Sequence, residues 1–235
     1  WKFHLIFCSY ILNKIGYRKG MSLGLVIMGI SGSYDYPVTF NAVDTSFGGG
    51  PSRTLESIPF TNGVDIVVTH LNATGSALIG STFIGGSGSD GTNEKLYVNY
   101  GDHSRGEVIY DSTFIHVATS TFSNDFMGTM WGSSNKQNAA IFSLNRNCSQ
   151  APFKRVLIGS GDDAAFGLRT MRDAGKYFLV IAGGTKSNDL PTTTGSYQPL
   201  YGGGLSDGFI LKYDWKLDQV DELTYNGTGA YDQNF

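Results

Sequence analysis

The chain has 235 residues, 32 of them glycine and only 16% charged, with glycine at roughly twice its usual share. A net charge of −3 without a large basic block argues against a nucleic-acid partner. The supply of Phe, Tyr, Ile, Leu and Val argues against disorder, and no apolar run reaches the roughly 18 residues of a membrane span.

Residues 1–21 stand apart. They hold Lys2, Lys14, Arg18 and Lys19 and no acid, which leaves 13 basic against 20 acidic residues elsewhere. His4–Leu12 is apolar but short, and the stretch has neither a starting Met nor a small-residue cleavage site, so it reads poorly as a signal peptide. It reads instead as the remnant of a preceding strand or as sequence foreign to the rest of the chain. Cys8 and Cys148 show no metal or redox spacing. Two unpaired thiols are favoured over one long-range disulfide.

From Ser22 onward the pattern is β-rich. Leu23–Met28, Asp65–His70 and Ala77–Ile84 are predicted strands of a first unit, whose opening strand is expected within residues 8–20. The second unit has Glu107–Tyr110, Phe114–Ala118, Ala139–Leu144 and Arg155–Ile158. The third has Ala165–Arg172, Tyr177–Ala182, Phe209–Tyr213 and Glu222–Asn226. Short apolar runs such as YFLVIA suit strands buried on both faces.

The units share a grammar. An apolar run leads into a polar loop (Ser33-Tyr34-Asp35-Tyr36-Pro37, Ser123-Asn124-Asp125-Phe126, Ser187-Asn188-Asp189-Leu190-Pro191), then a Gly-rich turn, then Asp-x-Phe-Ile or its variant. Asp65, Asn138 and Asp207 are 73 and 69 residues apart. A second marker, Asp90, Asp162 and Asp232, has intervals of 72 and 70. Two markers sharing one period signal a repeat architecture, and four-stranded units at a fixed period are propeller blades. The order of apolar run, G-T-x-S-x-D-x-P, Gly-Gly-Gly, Asp-x-Phe-Ile and Thr-Phe-Ile-Gly-Gly-Ser-Gly-x-Asp resembles the bacterial β-propeller repeat abbreviated SBBP. The resemblance covers roughly Ser22 to Phe235. It implies a large extracellular or cell-surface protein of gliding-type bacteria, exported by type IX secretion.

The expected fold is therefore all-β: an array of four-stranded antiparallel blades at about 22–86, 106–161 and 165–228. Residues 231–235 would approach a further blade. About three blades make an incomplete propeller, with poorly covered apolar surface at both ends and neighbouring blades of a larger chain as partners. Successive connections in a blade emerge on alternate edges, which places the loops Ser31–Gly63, Ser120–Gln137 and Thr185–Ser206 on one face.

Several constellations are candidates for chemistry. Leu157–Ala164 mimics a dinucleotide fingerprint, but the same turn recurs elsewhere and no helix pattern succeeds it, so it reads as structural. His4, His70, His103 and His116 have no zinc spacing, and no nucleophile elbow occurs. Asp35, Asp125 and Asp189 recur at one repeat position. Calcium is one reading, but a site of six or more oxygens needs more acids than each loop carries. The favoured reading is that each Asp caps backbone N–H groups two residues on and fixes its own turn. The densest acids are Asp90, Glu94 and Asp102 with Asp162 and Asp163. Tyr34, Tyr36, Phe40, Trp131, Tyr197 and Tyr201 lie on the expected loop face, as ligand-stacking rings or as loop anchors.

The leading expectation is a non-catalytic segment for adhesion, display or protein or glycan binding, without catalytic residues or cofactor. The alternative is a propeller-fold glycosidase or lyase, which requires two carboxylates at catalytic separation.

Overall fold

The computed structural model describes residues 24–55, 57–98, 102–131 and 136–235. The strand expected within residues 8–20, and Cys8, lie outside these. The described chain is all-β, with four antiparallel sheets and none closed on itself. Sheet 1 is β1 (Leu25–Ser31), β4 (Asp65–Leu71) and β5 (Leu78–Ile84), in that order. Sheet 2 is the meander β6 (Glu107–Tyr110), β7 (Phe114–Thr121), β8 (Asn138–Asn145) and β9 (Phe153–Leu157). Sheet 3 is the meander β10 (Asp163–Asp173), β11 (Lys176–Thr185), β12 (Asp207–Asp214) and β13 (Gln219–Asn226). A small hairpin of β2 (Arg53–Leu55) and β3 (Ile58–Phe60) sits in the first long loop.

The strand sites match the sequence expectation, with shifted ends. The first strand begins at Leu25 rather than Leu23, and the last begins at Gln219 rather than Glu222. The β2–β3 hairpin has no counterpart in the sequence reading, because its three-residue strands are too short to show a period.

Side-chain alternation explains the stacking. On β8, Ala140, Phe142 and Leu144 face sheet 1, where they join Ile66, Val68 and Met28 with Ile115 and Val117 of β7. The intervening Ala139 and Ile141 face sheet 3 and join Leu179, Ile181, Phe209, Leu211 and Leu223. Sheet 2 is thus buried on both faces, as its continuous apolar runs require. Strand β10 packs against β6, β7 and β8, and β1 packs against β6.

The long loops do not stand free. The first runs back along the outer edge of β5, with Thr39 N–H donating to the Ser81 carbonyl (2.9 Å) and Phe83 N–H to the Asp44 carbonyl (3.2 Å). The third does the same on β13, with Thr193 N–H to the Leu223 carbonyl and Tyr225 N–H to the Gln198 carbonyl, both 3.0 Å. These contacts satisfy the unpaired groups of an edge strand. Phe47 packs on Phe83 at 5.9 Å and Tyr201 on Tyr225 at 5.8 Å, so the first and third loops repeat one packing device.

Candidate functional site

The recurring Asp residues form joints between sheets. Asp125 Oδ1 accepts the Ser87 N–H (2.7 Å) and the Ser87 hydroxyl (2.9 Å), and Asp189 Oδ1 accepts the Ser160 N–H (2.7 Å). Ser87 and Ser160 belong to the closing turns of the preceding sheets. The expectation that Asp125 and Asp189 cap N–H groups two residues on is thereby overturned. Asp35 accepts the Ser33 hydroxyl instead. The bonds to Ser87 and Ser160 N–H hold the Asp125 and Asp189 carboxyls below the usual range.

Each joint has a buried half as well. Asp90 accepts the hydroxyls of Thr121 and Ser123 and its own Gly86 N–H. Asp163 accepts the hydroxyls of Thr185 (2.5 Å) and Ser187 (2.9 Å). Ser123 and Ser187 hydroxyls in turn accept Gly88 N–H (2.8 Å) and Gly161 N–H (2.9 Å). A Cβ at Gly88 or Gly161 would collide with the backbone of Phe122 or Lys186, so the glycines permit close approach. Burial pushes Asp90 up to about 8 and Asp163 up to about 7. The repeat marker is therefore Asp163, not Asp162. The Asp90, Asp163 and Asp232 N–H groups each donate to the carbonyl of the residue just before β4, β8 or β12: Val64, Gln137 and Ser206. The fingerprint-like turn Leu157–Ala164 is part of this joint and cradles hydroxyls.

The other acids of the dense group are held separately. Glu94 pairs with Arg53 (3.0 Å), Asp102 with Arg105 (2.7 Å) and Asp162 with Lys186 (3.9 Å). Among the described residues no three His, Cys, Asp or Glu side chains converge in a metal-holding group. The Cys148 thiol is free and buried, and burial pushes its pKa up to about 12.

A Ser–His–Asp chain does exist, and sequence spacing hid it. His116 Nδ1 lies 2.7 Å from Ser143 Oγ, and Nε2 lies 3.4 Å from Asp111 Oδ2. Burial would raise the Asp111 carboxyl, but bonds from His116 and from Phe114 and Thr113 N–H hold it near 2. Ser143 and His116 are fully buried, and Trp215 covers the imidazole at 5.2 Å. A nucleophile must reach substrate, so this chain is a core polar network.

The expected loop-face aromatics divide. Tyr36 donates to or accepts from Thr69 Oγ1 (2.9 Å), Trp131 Nε1–H donates to the Phe126 carbonyl (3.1 Å), and Tyr201 packs on Tyr225. These three anchor their own loops. Tyr34, Phe40 and Tyr197 are exposed, Tyr197 at 83%. Tyr197 stands at the rim of an open groove of about 430 Å³, lined also by Ile210, Lys212, Glu222, Thr224 and Asn226. Lys212 lies between Asp221 (2.7 Å) and Asp173 (3.0 Å) and over the Phe178 ring. Its charge is therefore balanced within the protein, and the groove offers an aromatic ring beside amide, hydroxyl and carboxylate groups.

No family model, curated protein or solved structure matches the chain. Among the described residues no helix is long and apolar enough to cross a membrane.

Proposed function

We propose that this chain is a β-propeller repeat segment of a bacterial surface or secreted protein, non-catalytic, serving adhesion or display. It holds a glycan or protein ligand in the groove beside Tyr197. The carrying observation is a division of labour among polar groups. The recurring acids join successive sheets, whereas the exposed Tyr197 ring overhangs a charge-balanced polar groove. An exposed amphipathic ring beside hydrogen-bonding groups suits a polyhydroxylated ligand. The propeller reading is supported by two successive meanders stacked through two-sided apolar contacts, with the first strand of sheet 3 turned toward sheet 2. Neighbouring units of a longer chain are the structural partners in this reading.

A glycan array probed with wild type and Tyr197→Ala tests it. Binding that weakens by at least about tenfold in the variant is expected, as for loss of one stacking ring worth about 1.4 kcal/mol. Silence across the array removes the glycan reading. Cleavage of a bound glycan replaces it with the glycosidase or lyase alternative.

A further inference from the structure

Strands β5, β9 and β13 form the outer edges of sheets 1, 2 and 3. Thr82, Arg155 and Thr224 hold one position on these edges, opposite Val68, Ile141 and Ile210. The residues on either side of that position turn their backbone groups away from the sheet, as alternate residues of an edge strand do. On β5 and β13 all of these groups are bonded within the chain. Ser81 N–H donates to Thr39 Oγ1 (3.2 Å), and the Ser81 carbonyl accepts Thr39 N–H (2.9 Å). Phe83 N–H donates to the Asp44 carbonyl (3.2 Å), and the Phe83 carbonyl accepts the Thr82 hydroxyl (2.8 Å). On β13, Leu223 N–H and carbonyl bond Thr193 Oγ1 (3.2 Å) and N–H (3.0 Å), while Tyr225 N–H and carbonyl bond the Gln198 carbonyl (3.0 Å) and the Thr224 hydroxyl (2.9 Å).

Strand β9 breaks this pattern. The outward N–H and C=O groups of Lys154 and Val156 have no hydrogen-bond partner among the described residues. Two features of the sequence account for it. The loop Ser120–Gln137 is the shortest of the three. Over its described residues it bonds itself, with Gly128 N–H donating to the Asp125 carbonyl (2.9 Å) and Trp131 N–H to the Asn124 carbonyl (2.8 Å), instead of returning along the edge. Arg155 stands where β5 and β13 have threonine, so no hydroxyl is at hand for the Val156 carbonyl.

We propose that the outer edge of β9 is a peptide-binding site that takes an extended segment of a partner protein as an added strand. Lys154 and Val156 together offer two donors and two acceptors at the two-residue spacing of a strand ladder, the arrangement that main-chain recognition of an extended peptide uses. The flanking side chains set the partner's pattern, because successive side chains of an added strand fall on opposite faces. On one face Val156 belongs to the apolar cluster of Phe126 and Phe142, against which Met127 and Trp131 also pack. That face suits apolar side chains. The edge itself is cationic. The Lys154 ammonium donates to the Met127 carbonyl (2.6 Å), and Arg155, 42% exposed at its side chain, has Asp218 at 3.8 Å. Two cations against one carboxylate favour acidic side chains at the alternate positions. The site shares no residue with the Tyr197 groove.

The test is amide hydrogen exchange of the full chain by NMR, with an eight-residue peptide alternating Val and Glu as the probe. In the free chain the Lys154 and Val156 amides are expected to exchange at least about tenfold faster than those of Phe83 and Tyr225. The peptide should bind with a Kd below about 1 mM and slow those two amides at least about tenfold. The same peptide N-methylated at alternate residues, so that its ladder edge is blocked, should bind at least about tenfold more weakly. Arg155→Thr, which restores the hydroxyl of β5 and β13, should weaken binding by a similar factor, with circular dichroism confirming the fold. Slow Lys154 and Val156 amides in the free chain overturn the proposal, since the edge is then already covered. So does a Val–Glu peptide that leaves both amides unprotected, or an N-methylated peptide or an Arg155→Thr chain that binds as tightly as the parent. Equal binding of a Val–Lys peptide overturns the acidic partner. None of these outcomes bears on the glycan reading, which is scored on the array.

Discussion

Strands β8–β9 and β12–β13 occupy the same place in successive units, yet their corresponding faces differ. In sheet 2 that face carries Ala139 and Ile141 on β8 with Phe153 and Leu157 on β9, all buried against sheet 3. In sheet 3 the same row of β12 and β13 holds Ile210, which stands where Ile141 does, with Lys212, Glu222, Thr224 and Asn226, and these line the groove. The pairing is the same, with Ile141 opposite Arg155 and Ile210 opposite Thr224. One β-framework thus serves as a two-sided core sheet or as a one-sided sheet with a wet face, according to one alternate row of side chains. The poorly covered apolar surface expected at the sheet 3 end is thus narrow, with Ile210 37% exposed among polar groove residues.

The largest expected effect falls on the buried row. Ile141 is 1% exposed and lies between sheets 2 and 3. Truncation to Ala removes buried methyl groups and leaves a cavity, at a cost of about 2–4 kcal/mol. Urea unfolding measures this through a lower midpoint at unchanged slope. A cost under about 1 kcal/mol means the two sheets do not share a packed interface.

The buried carboxylates come next. Asp163→Ala strands the Thr185 and Ser187 hydroxyls, at about 2–3 kcal/mol for a buried network losing its acceptor. The same groups set a pH dependence. Asp90 and Asp163 titrate near 8 and 7 in the fold, against 3.8 unfolded. Between those values the folded state binds more protons than the unfolded state. Stability is therefore complete below about pH 4 as far as these groups go, falls as pH rises toward 8, and levels off above. Melting scans from acid to mildly alkaline pH check this, and Asp90→Asn with Asp163→Asn should flatten the slope. A melting temperature that climbs over that range contradicts raised carboxyls in the joints.

Asp189 is an exposed member of the same joint, and its bond to Ser160 N–H is open to water. Asp189→Ala is expected to cost about 0.5–1 kcal/mol, discounted for exposure. The paired substitution with Ser160→Pro, which removes the donor, should add less than the sum of the two. Full additivity in this double-mutant cycle would show that the bond contributes nothing.

The strands are legible in the sequence because each carries a local signal, an apolar run between turn residues, and the repeat states the register three times over. Every pairing across the period is hidden. Asp125 reads as a cap of its own turn because Asp side chains often bond N–H groups two residues on; its partner Ser87 is 38 residues away. The chain Asp111–His116–Ser143 escapes for the same reason, since Ser143 reaches His116 only through the β7–β8 ladder. Asp162 passes for the repeat marker in place of Asp163 because two adjacent acids cannot be ranked without knowing which one faces inward. The aromatics do lie on loops as expected, but which rings fold under, as Tyr36 and Trp131 do, depends on the outer strand each loop returns along.

The smallest effect is the sharpest test of the contrast between the two sheets. Ile210 is the repeat partner of Ile141 and is 37% exposed. Its flanking groove residues are polar, so little cavity forms when it is shortened, and solvent fills what is left. Ile210→Ala should therefore cost under about 1 kcal/mol, near the range of surface substitutions, while Ile141→Ala costs several times more. Urea unfolding of the two variants side by side, in dilute protein, isolates the contribution of the covering sheet, because residue type and strand position are held constant. Equal costs would mean that Ile210 is covered in solution. Should its cost rise with protein concentration, the cover is a second copy of the chain, since only an intermolecular contact makes stability depend on concentration.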